Sequence, residues 1–166
     1  MSEATIHDFT IEGLRDVLQQ AGYRAETFTD PSGATHLRSA TSGLPFDVRL
    51  GNRFGNDGER YVDATLMAAF QVQGELPPAL VNSWNNTRRF GRLHFDRGFL
   101  ILDLDLLVAG GVMPAHLRAL IEIWDRLIQE LIPYLRTELS QLATNGTGQG
   151  AVSVPQAEEK TAATAA

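Results

Sequence analysis

The sequence contains no cysteine, which removes disulfides, thiolate zinc sites and cysteine nucleophiles together. Basic charge is also scarce. Lysine and arginine number 14 against 20 aspartates and glutamates, a formal net charge of −6. Such a surface argues against nucleic acid or an anionic membrane as a partner, because phosphate binding needs a basic face. No run of about 18 apolar residues occurs, so no segment is expected to span a bilayer. Met1-Ser2-Glu3-Ala4 has neither the basic start nor the apolar run of a signal peptide, and a soluble cytoplasmic protein is expected. The histidines are His7, His36, His94 and His116, and no two stand at a metal-ligand spacing. No Gly-x-Ser-x-Gly elbow is present. The sequence therefore shows no established metal-binding or catalytic motif, and no metal, cofactor or catalytic residue is expected in the leading reading.

What is present suits one globular body. Hydrophobic residues make up 43% and charged residues 20% of 166 residues, ordinary values for a single domain. A body of this size buries about 68–70% of its unfolded surface and needs no covalent staple. The expected domain spans residues 1–143. Residues 144–166 are rich in Gly, Ala, Thr and Ser, too poor in apolar surface to offset their ordering entropy, and read as a disordered tail.

The centre of the domain is the stretch from Leu80 to Trp124. Pro77 and Pro78 stand where a first helical turn tolerates proline, and Leu80, Val81, Trp84 and Thr87 recur at helical spacing. After Phe90-Gly91 the period changes: Leu93 and Phe95 alternate with Arg92 and His94, as in a strand buried on one face. Asp96-Arg97-Gly98 predicts a tight reversal. The returning strand, Phe99 to Leu104, is apolar on both faces at first and belongs inside a sheet. Gly110-Gly111 breaks the chain before a long helix from about Pro114, with Leu117, Leu120, Ile121, Trp124, Leu127, Ile128, Leu131 and Leu135 on one side. That arc is wider than the roughly 100° a core-facing helix needs, and Ile123 lies beyond it. Pro133 predicts a kink or break, with a continuation to about Leu142.

Upstream, Thr10 is placed to cap a helix carrying Ile11, Leu14, Val17, Leu18 and Ala21, with Phe9 and Leu14 as a hydrophobic staple and Gly22 as its end. Extended pieces follow at Tyr23 to Thr29 and Thr35 to Ala40, separated by the turn Asp30-Pro31-Ser32-Gly33. Phe46, Val48 and Leu50 mark a third strand. Val62, Ala64, Leu66, Ala68, Phe70 and Val72 mark a long fourth one with a single buried face. Between them, Asn56-Asp57-Gly58 predicts a hairpin-type turn. The glycine-rich run 51–58 lacks the Gly-Lys-Ser/Thr ending of a phosphate loop and the ligand spacing of a calcium loop. The fold class is α+β: an antiparallel sheet of five to six strands with helices at the N-terminus, in the middle and at the C-terminus.

Three groupings of side chains carry possible function. Asp103 and Asp105 share a strand face with His94 nearby in the pattern; paired carboxylates and an imidazole could serve acid/base chemistry or a hard cation. Carboxylates at a strand end more often face solvent. Arg88, Arg89 and Arg92 form the one basic cluster, although positive charge at a helix end also suits the helix dipole. Ile123, Trp124 and Leu127 are the candidate protein interface, since the wide arc lets the last helix serve both the sheet and a second surface. For Trp124 taken alone, core packing is the default.

The segments Val81-Asn82-Ser83-Trp84-Asn85, Arg89-Phe90-Gly91-Arg92-Leu93, Phe95 to Leu104 with its Asp-Arg-Gly hairpin, and Gly110-Gly111-Val112 resemble, in order and spacing, the YbjN family. Gly22-Tyr23 and the strand Phe46 to Leu50 extend the likeness over roughly residues 8 to 135. These are bacterial proteins described as sensory transduction regulators. The resemblance implies a fold like that of type III secretion chaperones and a non-enzymatic role in regulation or in binding other proteins, as a homodimer. It supplies no catalytic residues. Met113 departs from the Ser or Thr expected at the cap of the last helix, so that helix should begin less sharply. The alternative is a small-ligand- or metal-dependent enzyme using Asp103, Asp105 and His94.

Overall fold

The structure is a computed structural model that describes residues 4–56, 58–146, 150–153 and 155. In chain order the elements are α1 (Ile11–Gln20), β1 (Glu26–Thr29), β2 (Thr35–Thr41), β3 (Leu44–Leu50), β4 (Asp63–Gln73), α2 (Pro78–Thr87), β5 (Arg92–Asp96), β6 (Phe99–Leu107), α3 (Pro114–Asn145) and β7 (Ala151–Ser153). The sheet is antiparallel throughout, in the order β1-β2-β3-β4-β6-β5, with β7 added to β4. The protein is thus α+β, with the three helices where the sequence places them. Six strands match the expected set and β7 is a seventh.

Local chemistry explains the element ends. The Thr10 hydroxyl accepts the Gly13 amide at 3.0 Å, capping α1, and Gly22 leaves the helix at φ +91. The Asp30 carboxylate accepts the amides of Ser32 and Ala34 at 2.9 and 3.1 Å, building the turn between β1 and β2. Arg97 and Gly98 both take positive φ, the twist-matched two-residue loop that joins β5 to β6. Helix α3 starts at Pro114 behind Met113, which makes no side-chain cap.

Alternation in the strands divides the sheet into two unlike faces. On one, Leu37, Phe46, Val48, Leu66, Phe70, Leu93, Leu102 and Leu104 are buried with Leu14, Leu18, Leu80, Trp84, Ile121, Trp124 and Ile128 of the helices, in one continuous core. The other face bears Arg38, Asp47, Arg49, Thr65, Arg92, His94, Asp103 and Asp105, much of it ion-paired. Such an uncovered polar face is what antiparallel sheets permit.

Three expectations differ from the fold. Helix α3 has no break at Pro133 and runs on to Asn145; Leu131 and Leu135 on either side are buried, so packing holds the helix across the lost hydrogen bond. Phe95 is 39% exposed because it stands near the hairpin end of β5, past the cover that α2 gives Leu93. Of the expected tail, 144–145 are helical and Ala151–Ser153 pairs with Gln71 to Gln73. Residues 147–149, 154 and 156–166 of that tail, and residue 57 of the predicted Asn56-Asp57-Gly58 turn, lie outside the described residues.

Candidate protein-interaction surface

Asn85 of α2 ties that helix to the sheet beside this surface. The Asn85 side chain donates to the Leu93 carbonyl at 2.8 Å and accepts the Leu93 amide at 2.9 Å. It so occupies the outer edge of β5 as a neighbouring strand would and blocks that edge. The other end of α2 is tied to α3, where the Tyr134 hydroxyl donates to the Leu80 carbonyl at 2.6 Å. Between these ties, the Trp84 ring meets the Tyr134 ring edge-on at 5.2 Å. The Arg88 guanidinium lies over both, 4.2 Å from Trp84 and 5.1 Å from Tyr134, and reaches Glu130 of α3 at 3.2 Å. Burial and the nearby Glu138 carboxylate push the Tyr134 phenol above its ordinary value.

With both ends of α2 held, the chain must cross from helix to strand in the four residues Arg88, Arg89, Phe90 and Gly91. It does so through a γ-turn: the Gly91 amide donates to the Arg89 carbonyl at 3.0 Å, and Phe90 at its apex has φ +74. That conformation is rare and costly for a residue with a Cβ. Close approach favours Gly91, since a Cβ there would stand 2.7 Å from Leu127 Cδ1 and that side chain would have to shift. The turn thrusts Phe90 outward, 62% exposed, with the Arg89 guanidinium 5.6 Å from its ring.

Beside Phe90 lies a cleft of about 240 Å³ bounded by Thr87, Arg88, Arg89, Ile123, Arg126, Leu127 and Glu130. Its lining is mixed, with Phe90, Ile123 and Leu127 as the apolar residues and three arginines among the polar ones. The volume falls below the roughly 300–1,000 Å³ typical of sites that engulf a whole small ligand.

Two members of the candidate interface, Ile123 and Leu127, line this cleft. Trp124 does not. It is fully buried and meets Phe46 at 5.5 Å, on the sheet-facing side of α3, so it supports the surface from beneath. The basic cluster is split: Arg88 and Arg89 border the cleft, whereas Arg92 pairs with Asp103 at 2.9 Å on the polar sheet face. Sequence reasoning missed Phe90 and Arg126. The available sign was an aromatic held between an arginine and a glycine at a change of period.

Asp103, Asp105 and His94 do share the polar face, but their contacts are divided between different partners. The buried Asp103 carboxylate is 3.6 Å from His94 Nδ1 and is hydrogen-bonded to Arg92, whose own pKa that bond raises. Asp105 is engaged separately, accepting the Thr65 hydroxyl at 2.7 Å. Among the described residues, no group of three or more His, Cys, Asp or Glu is arranged to hold a metal ion. No helix among them is long and apolar enough to cross a membrane.

Fold and surface together define a single-sheet α+β protein that presents an aromatic knob and a basic-rimmed cleft between its helices. The chain belongs to the YbjN family, whose model, described as "Putative bacterial sensory transduction regulator", matches residues 10–137. No curated protein and no solved structure matches the chain.

Proposed function

We propose that this protein is a non-enzymatic, cytoplasmic regulator that acts by holding another polypeptide, in the manner of a chaperone, at the surface formed by Phe90, Ile123 and Leu127. The observation that carries this reading is Phe90: a large apolar side chain, mostly exposed, kept in a strained turn beside a cleft that Ile123 and Leu127 help to line. Strain of this kind persists where the surroundings enforce it, and it clusters at binding sites. Aromatic anchors also dominate interface energetics. Family membership supports the regulatory role. The test compares the proteins captured from the native bacterial cytoplasm by the unmodified chain, by Phe90→Ala and by Ile123→Glu. A recurrent protein lost from both variants, with their thermal unfolding unchanged, is expected. An identical captured set would end the proposal.

A second reading places another copy of this chain on the same surface. Ile123 is half-buried on α3 beside the exposed Phe90, and a twofold axis near them would bury both. Sedimentation equilibrium decides it: a dimer dispersed by Ile123→Glu supports the homodimer, and a monomer in the unmodified protein eliminates it.

A further inference from the structure

We infer that the occupant of the cleft is an acidic polypeptide segment that brings one large apolar side chain. This rests on the protein-binding reading above and adds the chemistry of the partner.

The cleft is lined by three arginines, Arg88, Arg89 and Arg126, against one glutamate, Glu130, a local excess of two positive charges on a chain whose net charge is −6. Glu130 is already engaged by Arg88, which is itself pinned over Trp84 and Tyr134. That neutralised pair serves to lock α2 to α3. It leaves Arg89 and Arg126, both exposed, with no carboxylate within ion-pair distance among the described residues. Arg89 lies close to the face of the Phe90 ring, so its stem and charge flank the same aromatic that a partner would cover.

These positions fix complementary features of the occupant. An aliphatic or aromatic side chain fills the space over Ile123 and Leu127 and packs on Phe90. Carboxylates on neighbouring residues meet Arg89 and Arg126 with charge-assisted, often two-pronged hydrogen bonds. Selectivity follows from the same arrangement, because a basic segment would face two uncompensated guanidiniums. A nucleic acid is disfavoured, since two exposed arginines offer few phosphate contacts and the remaining surface is acidic overall. The long-range repulsion of the chain for an acidic partner is screened beyond about 8–10 Å at ordinary salt, whereas the ion pairs act at contact.

The test selects a random peptide library displayed on phage against the intact protein. Enriched peptides are expected to carry several Asp or Glu residues flanking Phe, Trp, Leu or Ile. A synthetic peptide of that kind, followed by fluorescence anisotropy, should lose affinity by about tenfold or more on Arg126→Glu and on Phe90→Ala. Replacing its acidic residues by Lys should restore binding to Arg126→Glu. Enriched peptides that are basic, an acidic peptide bound equally well by Arg126→Glu, or displacement of the peptide by a single-stranded oligonucleotide would each overturn the inference. If neutral apolar peptides win and still need Phe90, the acidic partner is wrong while the protein-binding reading stands. If no selected peptide responds to Phe90→Ala or Ile123→Glu, both fall. A dimer dispersed by Ile123→Glu assigns the cleft to a second copy and also overturns the inference.

Discussion

Asn85 and Leu93 are joined by two hydrogen bonds, one in each direction, between a helix side chain and the main chain of an edge strand. The pairing imitates a β-ladder with a single residue. It does two jobs at once: it closes an edge that could recruit another chain, and it sets the position of α2 from which the Phe90 turn and the cleft follow.

Asn85→Ala should therefore lower stability by about 0.5–1.5 kcal/mol for each of the two hydrogen bonds lost, the net range for an ordinary hydrogen bond whose partners water can then reach. Urea unfolding followed by circular dichroism measures it. The uncovered Leu93 amide and carbonyl should also promote concentration-dependent association, seen as a rise in light scattering. A change within about 0.5 kcal/mol, the range of neutral surface substitutions, would show that the edge needs no such cover.

Gly91 is held at van der Waals limits by Leu127 and Leu102, whose Cδ1 atoms would stand 2.7 and 3.3 Å from an added Cβ. Gly91→Ala should cost about 1–3 kcal/mol, as overpacking does. The same contact makes the sites interdependent. Leu127→Ala alone should cost about 2–5 kcal/mol, but in the double variant the new methyl enters space the leucine has left, and the two losses should sum to less than their parts. Additive losses would mean the backbone moves aside without involving Leu127.

His36 is almost fully buried against the Phe28 ring, with Asp47 3.4 Å from its Nε2. Burial holds its pKa below the ordinary value, aided by the charges of Arg49 and Arg38 and opposed by the carboxylates of Asp47 and Asp30. The unfolded imidazole then binds protons more readily than the folded one. Stability is fully present above the unfolded pKa of about 6.5 and declines as the pH falls through it toward the lower folded value. The urea midpoint should fall between about pH 7.5 and pH 5, and His36→Leu should flatten that decline. An equal slope in the variant would assign the effect to other groups. The Asp30 carboxyl, which the Ser32 hydroxyl and backbone amides hold below its usual range, contributes only at lower pH.

Most of the fold was legible in the sequence because period and turn chemistry are local. The Thr10 cap, the Asp30 turn, the Arg97-Gly98 hairpin and the alternation of β4 each needed only neighbouring residues to be read. Less of the surface was legible because it depends on distant contacts. Ile123 could be singled out as an apolar residue beyond the helix arc, yet its companion Phe90 marked only a change of period in the pattern. Its positive φ occurs between two long-range contacts, the Asn85–Leu93 hydrogen bonds and the packing of Leu127 at Gly91, which neighbouring residues alone do not announce. Trp124 shows the converse: its spacing along the helix places it near Ile123, but its side chain meets Phe46 across the core. Similarly, Asp103 is removed from solvent by a cross-strand partner, Arg92, that the pattern of β6 alone does not reveal.

Phe90 offers the sharpest separation of stability from binding. At φ +74 a residue with a Cβ is strained, and its ring is 62% exposed and recovers little by burial. Phe90→Gly removes the steric penalty of roughly 1–2 kcal/mol for a left-handed conformation. Against this stand a greater loss of backbone entropy on folding, about 0.5–1 kcal/mol, and the small apolar contact of the ring. The balance should leave stability unchanged or raised by up to about 1 kcal/mol, while the anchor for a partner is gone. Phe90→Ala keeps the strain and loses the ring, so it should be no more stable than the original and bind equally poorly. Paired urea titrations and peptide-binding measurements on the two variants resolve these contributions. A large destabilisation by Phe90→Gly would show that the ring serves the fold, and the turn would then have to be explained by packing rather than by contact with another molecule.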